Sequence, residues 1–278
     1  MRNRTWADVV TLAAAVATLT AAPALAQQRE ATGRYTPPLG AKDLKAVIFN
    51  WFWHMGMLRD VEEIEAVATL EHRATGVMQV DGQPCRLTFY RVSTNYQVPG
   101  QRVQYTCTRP NGEEYKNVEV VSGQYAWDED APGAELVPGR GKAVPKPALV
   151  HERLTRLWAG PQGAPKAAAA GGDKTTVSHD GSSPVVTFPI PGVPGAVARA
   201  TLDARYMAAR VEVRLAGVAT EFTYGRYQDW NNPLNKIDAL YAGTLAEKRN
   251  GVTMRDLITI ETETGNVYVV MPVPQSVR

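Results

Sequence analysis

Two runs, Cys85-Arg86-Leu87-Thr88-Phe89-Tyr90 and Arg102-Val103-Gln104-Tyr105-Thr106-Cys107, decide the fold class of this chain. In each, apolar and polar residues alternate, which is the period of a strand with one buried face. Folding the runs about Asn95-Tyr96-Gln97 sets Cys85 opposite Cys107, Leu87 opposite Tyr105 and Phe89 opposite Val103. Every apolar side chain then shares one face, as a half-buried antiparallel sheet requires. This register predicts a Cys85–Cys107 disulfide, the alternative being two buried free thiols. With no histidine at ligand spacing, the two cysteines make no metal site.

The pattern extends both ways. Over 64–80 the even positions Ala66, Ala68, Leu70, Ala74, Gly76 and Met78 are small or apolar, with His72 on the same parity. Asp81-Gly82 and Asn111-Gly112 are turn signals, and 118–121 and 124–127 read as short strands. Downstream, hairpins at Asp203-Ala204 and Ala216-Gly217 place Ala200 opposite Met207, Val211 opposite Phe222 and Val213 opposite Thr220. Residues 252–260 and 267–270 read as final strands before a tail with Pro272 and Pro274. Asp256 falls on the apolar parity of 252–260, and a bulge with Arg255 accounts for it.

Two segments have helical spacing. Over 41–58, Leu44, Val47, Ile48, Trp51, Met55 and Leu58 recur every three or four residues, and Phe49, Phe52, Trp53 and Met57 widen the stripe. A helix this apolar must be covered or must cover something. After Pro147, the residues Leu149, Val150, Leu154, Leu157 and Trp158 predict a second, amphipathic helix. Segment 128–147 is a Pro/Gly-rich loop, and 160–183 reads as a low-complexity insertion mixing loop with a mobile connection. The expected fold class is α+β, mainly antiparallel β. About ten strands would curl into an open half-barrel capped by an N-terminal and a mid-chain helix.

Residues 1–26 read as a signal peptide, with Arg2 and Arg4, an apolar core at 9–19 and Ala24-Leu25-Ala26 as the cleavage site. The core is too short for a permanent span. A soluble periplasmic protein without a lipid anchor is expected, folding as one domain over 27–278. The charge is balanced at +2, with 30 Lys+Arg against 28 Asp+Glu, so no basic excess argues for nucleic acid or an anionic membrane surface.

The order of elements resembles the LolA/LolB-like superfamily of periplasmic lipoprotein carriers. The residues carrying the resemblance are Gly76-Val77-Met78, Asp81-Gly82, Arg102-Val103-Gln104-Tyr105, the run Val120 to Trp127 and Phe222-Thr223-Tyr224-Gly225-Arg226-Tyr227-Gln228-Asp229. The resemblance implies an unclosed barrel holding acyl chains, with no catalytic group and no cofactor. The partner would be a hydrophobic ligand or lipoprotein acyl chains, carried by a monomer in peripheral contact with envelope membranes. Arg73, nearest in the chain to the family's gating arginine, has outward parity.

Hydrolase and zinc-protease signatures are absent, and Gly160-Gly163-Lys166 lacks phosphate-loop spacing. His54, His72, His151 and His179 are scattered, and His72 reads as a satisfied core histidine. Trp51, Phe52, Met55, Phe89, Tyr105, Met207, Val211 and Phe222 are the candidate cavity lining. The same residues would otherwise form an ordinary packed core, giving an interaction or sensor module without a ligand.

Overall fold

In the computed structural model, the described residues are 40–59, 64–65, 67–231, 239–265 and 268–278. They belong to the unit Tyr35–Arg278. Residues 1–26, expected to be a signal peptide, lie outside them. In chain order the elements are α1 (Leu44–His54), β1 (Leu58–Arg59), β2 (Ile64–Glu65), β3 (Thr69–Val80), β4 (Gln83–Asn95), β5 (Gly100–Thr108), β6 (Glu114–Ser122), β7 (Tyr125–Glu129) and β8 (Ala143–Pro145). There follow α2 (Val150–Ala159), α3 (Gly163–Ala170), β9 (Thr176–Asp180), β10 (Ser183–Pro189), β11 (Val197–Leu202), β12 (Ala208–Leu215) and β13 (Val218–Gly225). The last are β14 (Gln228–Asp229), β15 (Leu240–Tyr241), β16 (Thr244–Arg249) and β17 (Val252–Thr264).

Thirteen strands form one antiparallel sheet in the order β8-β7-β6-β5-β4-β3-β17-β16-β13-β12-β11-β10-β9. Two meanders run outward from a central β3–β17 pair, and β8 and β9 are edges that do not pair with each other. The expectation of about ten strands was therefore low. Gly76 makes the central pairing possible: its φ of +139° lies outside the range of ordinary side chains, and a Cβ there would run into the Asp256 carbonyl of β17.

The chain must pass from one edge to the other between β8 and β9, and α2 and α3 lie in that connection. Strands β6 and β16 are separated by β5, β4, β3 and β17. In a flat sheet they would stand roughly 24 Å apart at ~4.8 Å per spacing. Yet Glu119 of β6 and Glu247 of β16 both reach the guanidinium of Arg156 on α2, at 3.1 and 3.4 Å. The sheet therefore bends around α2.

Several expected details change. The Cys85–Cys107 disulfide forms, but Leu87 opposes Cys107, Tyr90 opposes Tyr105 and Val92 opposes Val103. A bulge between Leu87 and Phe89 reverses the parity, so Tyr90 points inward and Phe89 outward. In the C-terminal hairpins Val211–Phe222 and Val213–Thr220 pair as expected, whereas Ala200 faces Val211 and not Met207. The turn is longer than expected, with the Asp203 N–H bonded to the Met207 carbonyl and Leu202 opposite Ala208, and an irregularity between Thr201 and Leu202 adds one more residue. In β17, a bulge beside Arg255 buries Arg255, Leu257 and Thr259 and turns Asp256, Ile258 and Ile260 outward. Residues 268–270 form no strand.

Helix α1 stops at His54 and not at Leu58. Gly56, at φ +66°, supplies the left-handed residue. Met57 N–H then bonds to the Phe52 carbonyl and Gly56 N–H to that of Trp53, satisfying the last turn. Asp43 caps the other end by accepting from the Ala46 N–H. Segment 160–183 is structured: Ala164, Ala167 and Ala168 of α3 are fully buried, because side chains this small let α3 pack closely on α1, α2 and β10. Helix α1 leans on α3 and β9, and it is α2 that meets β5, β6, β7 and β12. The helix in the hollow of the sheet is therefore the mid-chain one.

Candidate functional site

The candidate site lies between α2 and the centre of the sheet. Helix α2 buries Leu154, Leu157 and Trp158 on one stripe. From the same helix Arg153 donates to the carbonyls of Val120 and Trp127, at 2.9 and 2.6 Å, and to Asp128 at 2.5 Å. Arg156 donates to Glu119 and Glu247 on the sheet and to Glu152 one turn back, at 3.0 Å. Arg255 of β17 adds a contact of 3.3 Å to Glu119 and one of 3.7 Å to Glu247. Arg249 reaches Glu152 at 2.9 Å and Glu247 at 3.2 Å. Three guanidiniums thus meet three carboxylates in a largely buried cluster.

Burial opposes ionisation of Glu119 and Glu247, but Arg255 and Arg156 outweigh it and hold both carboxyls below their ordinary range. For Glu152 burial is likewise outweighed by Arg156 and Arg249, and the carboxyl drops to about 2. Carboxylates held this firmly ionised are poorly matched to proton transfer near neutrality. What the cluster does is tie α2 to both halves of the sheet.

Beside it is a cavity of about 60 Å³ whose lining is mostly apolar and aromatic, with Leu70, Val92, Tyr96, Phe222, Tyr224 and Leu257, and to which Arg156, Glu247 and Arg255 of the cluster also contribute. His72 and Tyr241 form one wall, with Nδ1 of His72 at 3.2 Å from the Tyr241 hydroxyl and the Tyr90 ring on the other side. Burial first, and then the Arg255 charge, lower the imidazole to about 3, so His72 is neutral. It is a satisfied core histidine, as the sequence suggests. Tyr224 closes the α2 end by donating to the Ala159 carbonyl at 2.7 Å.

Of the eight lining residues read from sequence, Phe222 faces this cavity. Trp51, Phe52, Met55, Met207 and Val211 pack with Phe222 in the largest apolar cluster, where side chains touch one another. Tyr105 is buried in a second cluster around the disulfide. Phe89 is 39% exposed on the outer face and lines nothing internal. Sequence reasoning missed Glu119, Arg156, Glu247 and Arg255, because a charge reads as a solvent-facing residue unless its partner strand is known. The one available signal was the irregularity at Arg255-Asp256. It also missed Lys166 of α3, which donates to the Val67 carbonyl at 2.6 Å and sits 4.8 Å from the Tyr96 ring centre. Burial brings that amine down to about 7.

The chain matches no protein-family model, and no curated protein matches it. Among the described residues no helix is long and apolar enough to cross a membrane.

Proposed function

We propose that this chain is a non-enzymatic, exported binding protein for a hydrophobic ligand, held between α2 and a half-barrel sheet. The fold would be of the LolA/LolB-like kind, with acyl chains of a lipid or lipoprotein as cargo. The observation that carries the reading is the apolar, aromatic cavity under α2, at the centre of a sheet bent around that helix. Each ligand CH₂ moved from water into such surroundings gains ~0.8 kcal/mol. A chain of any length needs more room than about 60 Å³, so uptake requires α2 to lift. Export to the periplasm is supported by the signal-like residues 1–26 and by a disulfide, a bond that persists in oxidising compartments.

The small cavity favours a second reading, in which the interior is filled and the domain works as a sensor or interaction module. Native mass spectrometry and lipid extraction of the purified protein separate the two. Co-purifying lipid that is lost in Phe222→Glu and in the cavity-filling Val92→Phe, but kept in the outward-facing Phe89→Glu, supports the carrier. Absence of lipid from every form, with no uptake of added fatty-acyl probe, supports the module.

A further inference from the structure

On the opposite, outer face of the sheet is a second and larger cavity, of about 260 Å³, between β4, β5 and the C-terminal segment 268–271. It belongs to neither the acyl cavity nor the charged cluster. Its floor is set by strand register: Arg91 pairs with Gln104 and Ser93 with Arg102 across β4 and β5. Two guanidiniums therefore stand diagonally on one face of adjacent strands, roughly 7 Å apart at the backbone.

Both are held from behind. Arg91 gives Nη2 to the two oxygens of Glu71, at 2.8 and 2.9 Å. Arg102 gives Nη2 to Glu129 at 3.3 Å, and Glu129 is itself fixed by the Trp127 indole N–H at 2.9 Å and the Gly133 N–H at 2.7 Å. The carboxylates are the buried partners, with side chains 8% and 0% exposed, against 40% for Arg91 and 17% for Arg102. Glu71 also lines the cavity, but the more exposed charges on its floor are the two guanidiniums. Each guanidinium has five N–H donors in a planar fork, and only Nη2 of each is engaged by a carboxylate, while Nε of Arg102 is buried. At the rim, Tyr268 is 87% exposed and Val270 56%.

We infer that this cavity is a binding site for a small organic acid. The carboxylate, or another oxyanion such as phosphate, meets the Arg91 and Arg102 forks, and the body of the ligand lies against Tyr268 and Val270. Planar forks suit bidentate oxyanions, and strand-borne side chains held by buried partners keep the geometry ready before binding.

Calorimetric or NMR titration with D-glucuronate, D-glucose and inorganic phosphate tests this on the intact protein. Saturable glucuronate binding that weakens about tenfold in Arg91→Gln and recovers partly in Arg91→Lys, each measured at a temperature where circular dichroism shows the variant folded, is the expected result. Gln104→Ala, which removes no charge and no ion pair, should weaken binding less. Phosphate binding with the same Arg91 dependence assigns the site to the oxyanion alone; glucuronate binding above phosphate assigns it to the whole organic acid. Glucose binding as well as glucuronate, equal glucuronate binding by parent and Arg91→Gln, or no saturation by any of the three overturns the inference.

Discussion

Replacing Arg156 with Leu removes the one side chain that joins Glu119 of β6, Glu247 of β16 and Glu152 of its own helix. The remaining contacts set the cost. Glu119 keeps Arg255 at 3.3 Å, Glu152 keeps Arg249 at 2.9 Å, and Glu247 keeps Arg249 at 3.2 Å and Arg255 at 3.7 Å. No carboxylate is stranded, but three now share two guanidiniums, which leaves one excess negative charge in a cluster where Glu247 is 5% and Arg255 7% exposed. Breaking a buried pair costs ~3–5 kcal/mol, and partial compensation places this variant near the lower end, at ~3 kcal/mol. The pH dependence gives a sharper signature. In the parent, carboxyls held below their ordinary range contribute stability that is present above that range and lost as pH falls through the lowered values. Without Arg156 they protonate earlier, and a neutral carboxyl no longer strains the cluster. The difference between parent and variant should therefore be full near neutrality and shrink as pH falls below ~4. Urea unfolding followed by circular dichroism at neutral and acid pH measures both. A neutral-pH loss under ~1 kcal/mol, or an equal loss at both pH values, refutes the account of the cluster as a buried clasp.

Two further outcomes follow from the geometry. Reducing the disulfide, or replacing Cys85 and Cys107 together by Ser, opens a loop with a sequence separation of 22; the chain-entropy model gives a loss of ~3 kcal/mol, read from the shift of the denaturant midpoint. His72 has its pKa lowered to about 3 from an ordinary 6.5, so the unfolded chain takes up the proton first. Stability should fall as pH drops from about 6.5 towards 3, by up to ~1.4 kcal/mol per pH unit. His72→Gln should flatten that slope, and an NMR titration showing the imidazole protonating near neutrality would contradict its burial as the cause.

Reading the chain alone located most strands, because alternation and turn residues are local. Asp81-Gly82 and Ala216-Gly217 form the expected turns, with positive φ at all four residues. The Cys85–Cys107 bond was legible even though Cys107 faces Leu87 and not Cys85, because a register shift of two keeps both cysteines on one face as diagonal neighbours. The bulge in β4 left no mark, so the outward turn of Phe89 was not legible, whereas the one in β17 was signalled by Asp256 on an apolar parity. The low-complexity look of 160–183 hid α3, whose alanines signal close packing only when the surfaces they meet are known.

The sequence by itself determined that the protein is mainly antiparallel β, that two cysteines close a hairpin and that a helix follows Pro147. These depend on neighbours in the chain and on periodicity. Only the tertiary structure decided that β3 and β17 join the two meanders, that α2 and not α1 fills the bend, and that Arg156 brings together carboxylates from distant strands. A buried charge is stable only with its partner beside it, and those partners lie 37 and 91 residues away along the chain.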